Sequence, residues 1–172
     1  IGIVGNGYVG QSTALLGCKD EYADHEDNVL LIYDTDPDKR SPKDIEFEHL
    51  VQCDLVFVAV PTPMNGDGSC HTGIVEGVVN DLKDIGVSDI IIRSTVPVGL
   101  SRKLGVNFMP EFLTEANWQD DFKSNEEWIF GLHDLADKKI KKKLRKIFLT
   151  AKRNKRIDSA NFNWCSTETA EI

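Results

Sequence analysis

Three glycines, Gly5, Gly7 and Gly10, follow a short apolar run (residues 1–4) and lead into Val9, Thr13, Leu15 and Leu16 at helical spacing. The segment Gly5-Asn6-Gly7-Tyr8-Val9-Gly10 has the residue types that receive a pyrophosphate. Gly5 permits a tight turn, Gly7 leaves no side chain where phosphates approach the backbone, and Gly10 lets a helix pack close to a strand. The first amides of that helix add a partial positive charge. Asp34 closes the next apolar run (29–33), 24 positions after Gly10, where a carboxylate can accept both ribose hydroxyls and repel a 2′-phosphate. The expected ligand is a dinucleotide, NAD in preference to NADP. The competing reading is a glycine turn with no ligand and a surface Asp34.

Such a turn works only between a strand and a helix. The run 1–4 reads as the strand, and the helical spacing from Val9 to Leu16 supplies the helix. A second strand over 29–33 is followed by a turn-rich stretch to residue 42 and by one or two helical turns over 45–51. The almost wholly apolar run 55–60 predicts a central strand buried on both faces. Two prolines and two glycines over 61–68 take the chain out of the sheet. Helical spacing returns over 73–85, and strands are expected at 90–92 and 106–109. Strands alternating with helices imply an α/β fold of the doubly wound Rossmann type, with a mostly parallel sheet, flanking helices and loops converging at the strand C-termini.

The 172 residues suffice for one domain with its own core. No apolar run approaches the roughly 18 residues of a membrane span. Ile1 already lies in a strand pattern with no signal-peptide features before it, so the expected compartment is the cytoplasm. Cys18, Cys53, Cys70 and Cys165 lack C-x-x-C spacing, and His25, His49, His71 and His133 are dispersed, so no metal site and no disulfide are expected. The net charge is −8, yet 11 of the 20 Lys and Arg residues fall between Lys138 and Arg156, a stretch without acids. Counterion release could attract nucleic acid there. Ile140, Leu144, Ile147 and Phe148 instead mark an amphipathic helix with a solvated lysine face, so no nucleic-acid partner is expected.

Five segments in order resemble the UDP-glucose and GDP-mannose dehydrogenases, enzymes that oxidise the C6 alcohol of a sugar nucleotide to a carboxylate in two NAD-dependent steps. They are VGNGYVG (4–10), DLVFVAVPTPMNGDG (54–68), RSTVPVG (93–99), MPEFLTEA (109–116) and STETAEI (166–172). The resemblance covers the family's N-terminal, NAD-binding domain and spans residues 1–172. It implies that Gly5, Asn6, Gly7, Tyr8, Val9, Gly10, Asp34 and Lys39 hold the phosphates and ribose. Val60, Pro61, Thr62 and Pro63 then lie along the middle of the cofactor, Ser94 and Thr95 lie on its nicotinamide side, and Glu115 is a further contact. Phe112 and Leu113 match positions along the sugar nucleotide, UDP-glucose foremost. Thr95 and Glu111 match residues that position and deprotonate a catalytic water. Taken alone, Glu111 also reads as an exposed loop acid, and Thr95 as a hydroxyl bonded to its own turn.

Departures from the family pattern accompany the matches. The route from Asp34 to Asp54 is shortened by a helix and a strand, which implies an open adenosine pocket. Residues 100–106 are abbreviated, Asn125 and Glu127 replace a usual Pro and Arg, and His71 stands where Asp is common. The family's catalytic lysine, its nucleophilic cysteine, its central helix and its sugar-nucleotide domain are not among these residues. The expectation is a chain that binds NAD without completing the oxidation, and that is monomeric although the family's full-length members dimerise. The competing functions are a non-catalytic dinucleotide-binding module and another oxidoreductase resembling 6-phosphogluconate dehydrogenase.

Overall fold

The computed structural model describes residues 1–19 and 27–172; His25 lies outside the described residues. Among the described residues, eight strands form one sheet: β1 (Gly2–Val4), β2 (Cys18–Lys19), β3 (Val29–Tyr33), β4 (Val56–Val58), β5 (Ile90–Ile92), β6 (Asn107–Phe108), β7 (Glu127–Leu132) and β8 (Asn161–Ser166), in the order β2-β3-β1-β4-β5-β6-β7-β8. The first six run parallel. β7 turns antiparallel to β6, and β8 runs parallel to β7. The helices are α1 (Tyr8–Thr13), α2 (Gly73–Asp84), α3 (Leu100–Leu104), α4 (Trp118–Lys123), α5 (Lys138–Arg153) and α6 (Thr167–Ala170).

The period-2 geometry of the central strands sorts the core into two layers. Val56, Val58, Ile90 and Ile92 meet Val75, Val79 and Leu82 of α2 on one face. Leu55, Phe57 and Ile91 meet Phe122 of α4 and Leu144 and Phe148 of α5 on the other. This is why the runs 55–60 and 90–92 carry no polar alternation. On the α5 side Trp128 packs between Phe122 and Phe148, with ring centroids 4.9 and 4.8 Å away.

The basic stretch is the amphipathic helix its spacing predicts. Ile140, Leu144, Ile147, Phe148 and Ala151 are buried, and most of the lysines face water. Asp137 caps it by accepting the amides of Lys139 (2.8 Å) and Ile140 (3.1 Å). Asn28 ties it to the α1 side by donating to the carbonyls of Leu16 (2.7 Å) and Ile147 (2.8 Å).

Several elements differ from the sequence expectation. The helix after the glycine turn stops at Thr13 and tightens into a 3-10 turn, Ala14–Leu16; Ser12 and Thr13 both donate to the Val9 carbonyl, where they compete with helical bonding. The segment 45–51 is also 3-10, Phe47–Gln52. Residues 35–54 contain no strand, as their shortness implied, but the sheet edge beside β3 is taken by the two-residue β2. β7 and β8 lie in sequence that gave no strand expectation.

Beyond β3, Asp27 joins Arg156, whose Nη2 donates to it at 2.8 Å, and Asn154, which donates at 2.8 Å. The Arg156 guanidinium holds the Asp27 carboxyl well below the usual carboxylate range. Because the folded value is depressed, the stabilisation is complete above the unfolded aspartate value of about 4 and is lost as pH falls. Arg156→Met should lower the thermal midpoint at pH 7 and lower it by a clearly smaller amount near pH 2. Equal losses at both pH values would contradict this.

Candidate functional site

The C-terminal ends of β1, β3, β4, β5 and β6 carry the loops that the sequence marks as functional. Gly5 turns the chain out of β1 with φ +93°, a conformation that favours glycine, and its amide donates to the Tyr33 carbonyl at 2.9 Å. A Cβ on Gly5 would stand 2.5 Å from the Ala59 carbonyl oxygen, and one on Gly10 would collide with the Gly5 carbonyl. A Cβ on Gly7 would meet nothing within 4 Å. Two glycines are thus required by packing, and the third faces open space. Gly7 is also the N-cap of α1, with no side chain bonded to the cap and no acid in the first turn. Those amides remain available to an anion.

Asp34 sits against this turn, half-buried. Its Oδ2 accepts the Asn6 amide at 2.7 Å and its Oδ1 accepts the Asp36 amide at 2.9 Å. Asn6 in turn donates to the Lys39 carbonyl at 2.6 Å, so residues 34–39 and the glycine turn form one unit. The Lys39 side chain is exposed. Each Asp34 oxygen keeps a lone pair, which leaves it able to accept hydroxyl donors.

After β4, Val60 is buried, Thr62 is half-buried, and Pro61 and Pro63 are exposed. Ser94 is buried after β5 and donates its hydroxyl to the Val60 carbonyl at 2.7 Å, joining the two loops. Its side chain is therefore engaged within the protein. Thr95 is exposed, and the Cys70 thiol lies 3.6 Å from its carbonyl oxygen.

The loop after β6 leads into α4, which packs against α1. Burial, followed by the charges of Glu111 and Glu115, pushes the Tyr8 hydroxyl above its ordinary value. Glu111 is half-buried and accepts the Leu113 amide at 3.3 Å; Glu115 is exposed. Leu113 is half-buried, whereas Phe112 presents 66% of its surface to solvent.

Arg93 is a functional candidate to which the sequence assigned no role. It is 2% exposed, its Nε has no hydrogen-bond partner, and its guanidinium lies 5.6 Å from the Phe122 ring centroid. Burial pulls its pKa down to about 10, and the Glu111 charge opposes that shift. A cavity of about 50 Å³ between Arg93, Glu111, Phe112 and Trp128 adjoins it. An arginine directly before Ser-Thr, at the end of an all-isoleucine strand, was the available signal.

A cavity of about 1000 Å³ lies elsewhere, among Ile1, Val29, Asp54 and Lys143 at the starts of the strands. No cluster of His, Cys, Asp and Glu able to hold a metal occurs among the described residues, and all four cysteines are free. Among those residues no helix is long and apolar enough to cross a membrane.

A mostly parallel α/β sheet with a phosphate-ready glycine turn and an acid at the end of the adjacent strand defines a dinucleotide-binding domain. Residues 33–151 match the model of the UDP-glucose/GDP-mannose dehydrogenase family, NAD binding domain, and the chain belongs to that family. NAD is its cofactor.

Among relatives, an uncharacterized protein of Methanocaldococcus jannaschii is 31% identical over 139 residues, covering 73% of this chain and 15% of that protein. The UDP-glucose 6-dehydrogenase of Campylobacter jejuni is 28% identical over 189 residues, covering 85% of this chain and 47% of that enzyme. Among solved structures, a GDP-mannose dehydrogenase from Pseudomonas aeruginosa superposes with TM-score 0.73 at 22% identity, covering 99% of this chain and 47% of the other. A UDP-glucose dehydrogenase from Pyrobaculum islandicum gives TM-score 0.74 at 20% identity, covering 99% and 46%. At such identities the superpositions establish the fold. The chain spans less than half the length of each of these proteins.

Proposed function

We propose that residues 1–172 form the cofactor-binding part of a nucleotide-sugar 6-dehydrogenase that converts a sugar nucleotide, UDP-glucose foremost, to its uronate. The carrying observation is the glycine turn between β1 and α1, open at Gly7 and joined to Asp34 through the Asn6 amide at 2.7 Å. NAD supplies the hydride acceptor. Around it, the α1 amides and Lys39 hold phosphate, Asp34 accepts ribose hydroxyls, and the loop 60–63 follows the middle of the cofactor.

Ser94 fixes the start of the loop that brings Thr95 to the nicotinamide side, and Glu115 adds a cofactor contact. Phe112 and Leu113 offer an apolar strip to the sugar nucleotide. Thr95 orients a water and Glu111 accepts its proton, a role open to a half-buried carboxylate. Holding these groups in register removes much of the entropic barrier to hydride and proton transfer.

The test is UDP-glucose-dependent NADH formation by this chain joined to a family sugar-nucleotide domain that carries the lysine and cysteine. Glu111→Gln in that protein should lower kcat by about 100-fold or more with NAD affinity unchanged. An unchanged kcat would remove Glu111 from the chemistry. No NADH from the unsubstituted protein would overturn the reading.

A further inference from the structure

The loop from Ser94 to Gly99 is fastened at both ends, and its second fastening comes from 70 residues away in sequence. Gly99, at φ +94°, is the N-cap of α3, and no side chain of its own turn caps that helix. Its amide and that of Ser101 would otherwise be orphaned at the helix start. Both are taken by one carboxylate: Gly99 N donates to Glu171 Oε2 at 2.6 Å, and Ser101 N donates to Glu171 Oε1 at 2.9 Å. Charge-assisted bonds of this kind are roughly twice as strong as neutral ones.

The segment carrying Glu171 is itself firmly seated. Thr167 is fully buried, and Ser166 caps α6 by accepting the Thr169 amide at 3.2 Å. Gly131 of β7 lets α6 approach so closely that a Cβ there would lie 2.7 Å from Ala170 Cβ and 2.8 Å from Thr167 Cα. Arg102 of α3 pairs with Glu168 of α6, its Nη2 donating at 3.1 Å. α6 is thus a fixed block, and Glu171 projects from it onto the turn at Gly99.

We infer that Glu171 is a positioning residue for the nicotinamide side of the cofactor site: its carboxylate bridges the Gly99 and Ser101 amides and holds the loop that presents Thr95. This rests on the assignment of that loop under the proposed function. Ser94, bonded to Val60, fixes the near end of the loop; Glu171 fixes the far end. Loss of the carboxylate frees the far end without touching the glycine turn or Asp34. The ADP-ribose half of the cofactor should then bind as before, while the nicotinamide half loses its contacts.

Calorimetric titration of the whole 172-residue chain with NAD and with ADP-ribose tests this. The unsubstituted chain should bind NAD more tightly than ADP-ribose. Glu171→Ala should abolish that preference, a loss of about 10-fold or more in NAD affinity, with ADP-ribose affinity held within about twofold. Glu171→Gln, whose single amide oxygen can serve one of the two donors, should fall between. Arg102→Leu serves as control: it breaks the neighbouring Arg102–Glu168 pair and should leave the preference intact even where it lowers the thermal midpoint. The inference is overturned if Glu171→Ala keeps the preference, if both ligands weaken together, or if the unsubstituted chain shows no preference. A chain that binds neither ligand overturns the functional reading as well.

Discussion

Gly10→Ala should destabilise the protein by about 4 kcal/mol or more, in the range reserved for substitutions that force a backbone clash. The added methyl would collide with the Gly5 carbonyl oxygen. Gly5 has no room to yield: its amide is bonded to Tyr33, its φ is +93°, and its own Cβ position abuts the Ala59 carbonyl at 2.5 Å. The strain is therefore passed to the β1–β3 and β1–β4 contacts at the centre of the sheet. For a chain of this size the thermal midpoint should fall by roughly 10 °C. A midpoint within about 2 °C of the unsubstituted protein would contradict this account of the turn.

Gly7→Val should have the opposite profile. Nothing lies within 4 Å of a Cβ there, and the backbone at Gly7 has φ −75° and ψ −170°, an extended conformation open to valine. Stability should change by no more than about 0.5 kcal/mol. NAD affinity should fall by about 100-fold or more, because the side chain would occupy the space proposed for the pyrophosphate at the α1 amides. The pair of substitutions separates the two uses of glycine in one motif. Loss of stability in Gly7→Val, or undiminished NAD binding, would show that the open space is not a ligand site.

What was legible in the sequence follows from how each element is held. The runs 55–60 and 90–92 are buried on both faces, so every position had to be apolar and the strands announce themselves. β8 is half-exposed at the sheet edge, and Asn161 and Asn163 disfavour a strand on composition; pairing with β7 creates it. β7 did carry a signal in Trp128, Ile129 and Phe130, masked by Gly131, which is glycine because α6 packs there. β2 is two residues long and is held by its parallel pairing with β3.

The candidate site divides in the same way. Gly5, Gly7, Gly10 and Asp34 were readable because the chemistry fixes both residue type and spacing. That Ser94 bonds Val60, that α4 packs against α1, and that Arg93 is buried with its Nε unpaired depend on how separate loops converge, which spacing does not encode.

The proposed NAD site is this turn together with Asp34. Its most direct test is calorimetric titration of the chain with NAD and NADP, alongside Asp34→Asn. NAD should bind at least about tenfold more tightly than NADP if, as proposed, Asp34 accepts ribose hydroxyls and repels a 2′-phosphate, and Asp34→Asn should narrow that gap. Equal affinity for the two cofactors in the unsubstituted chain would contradict the account.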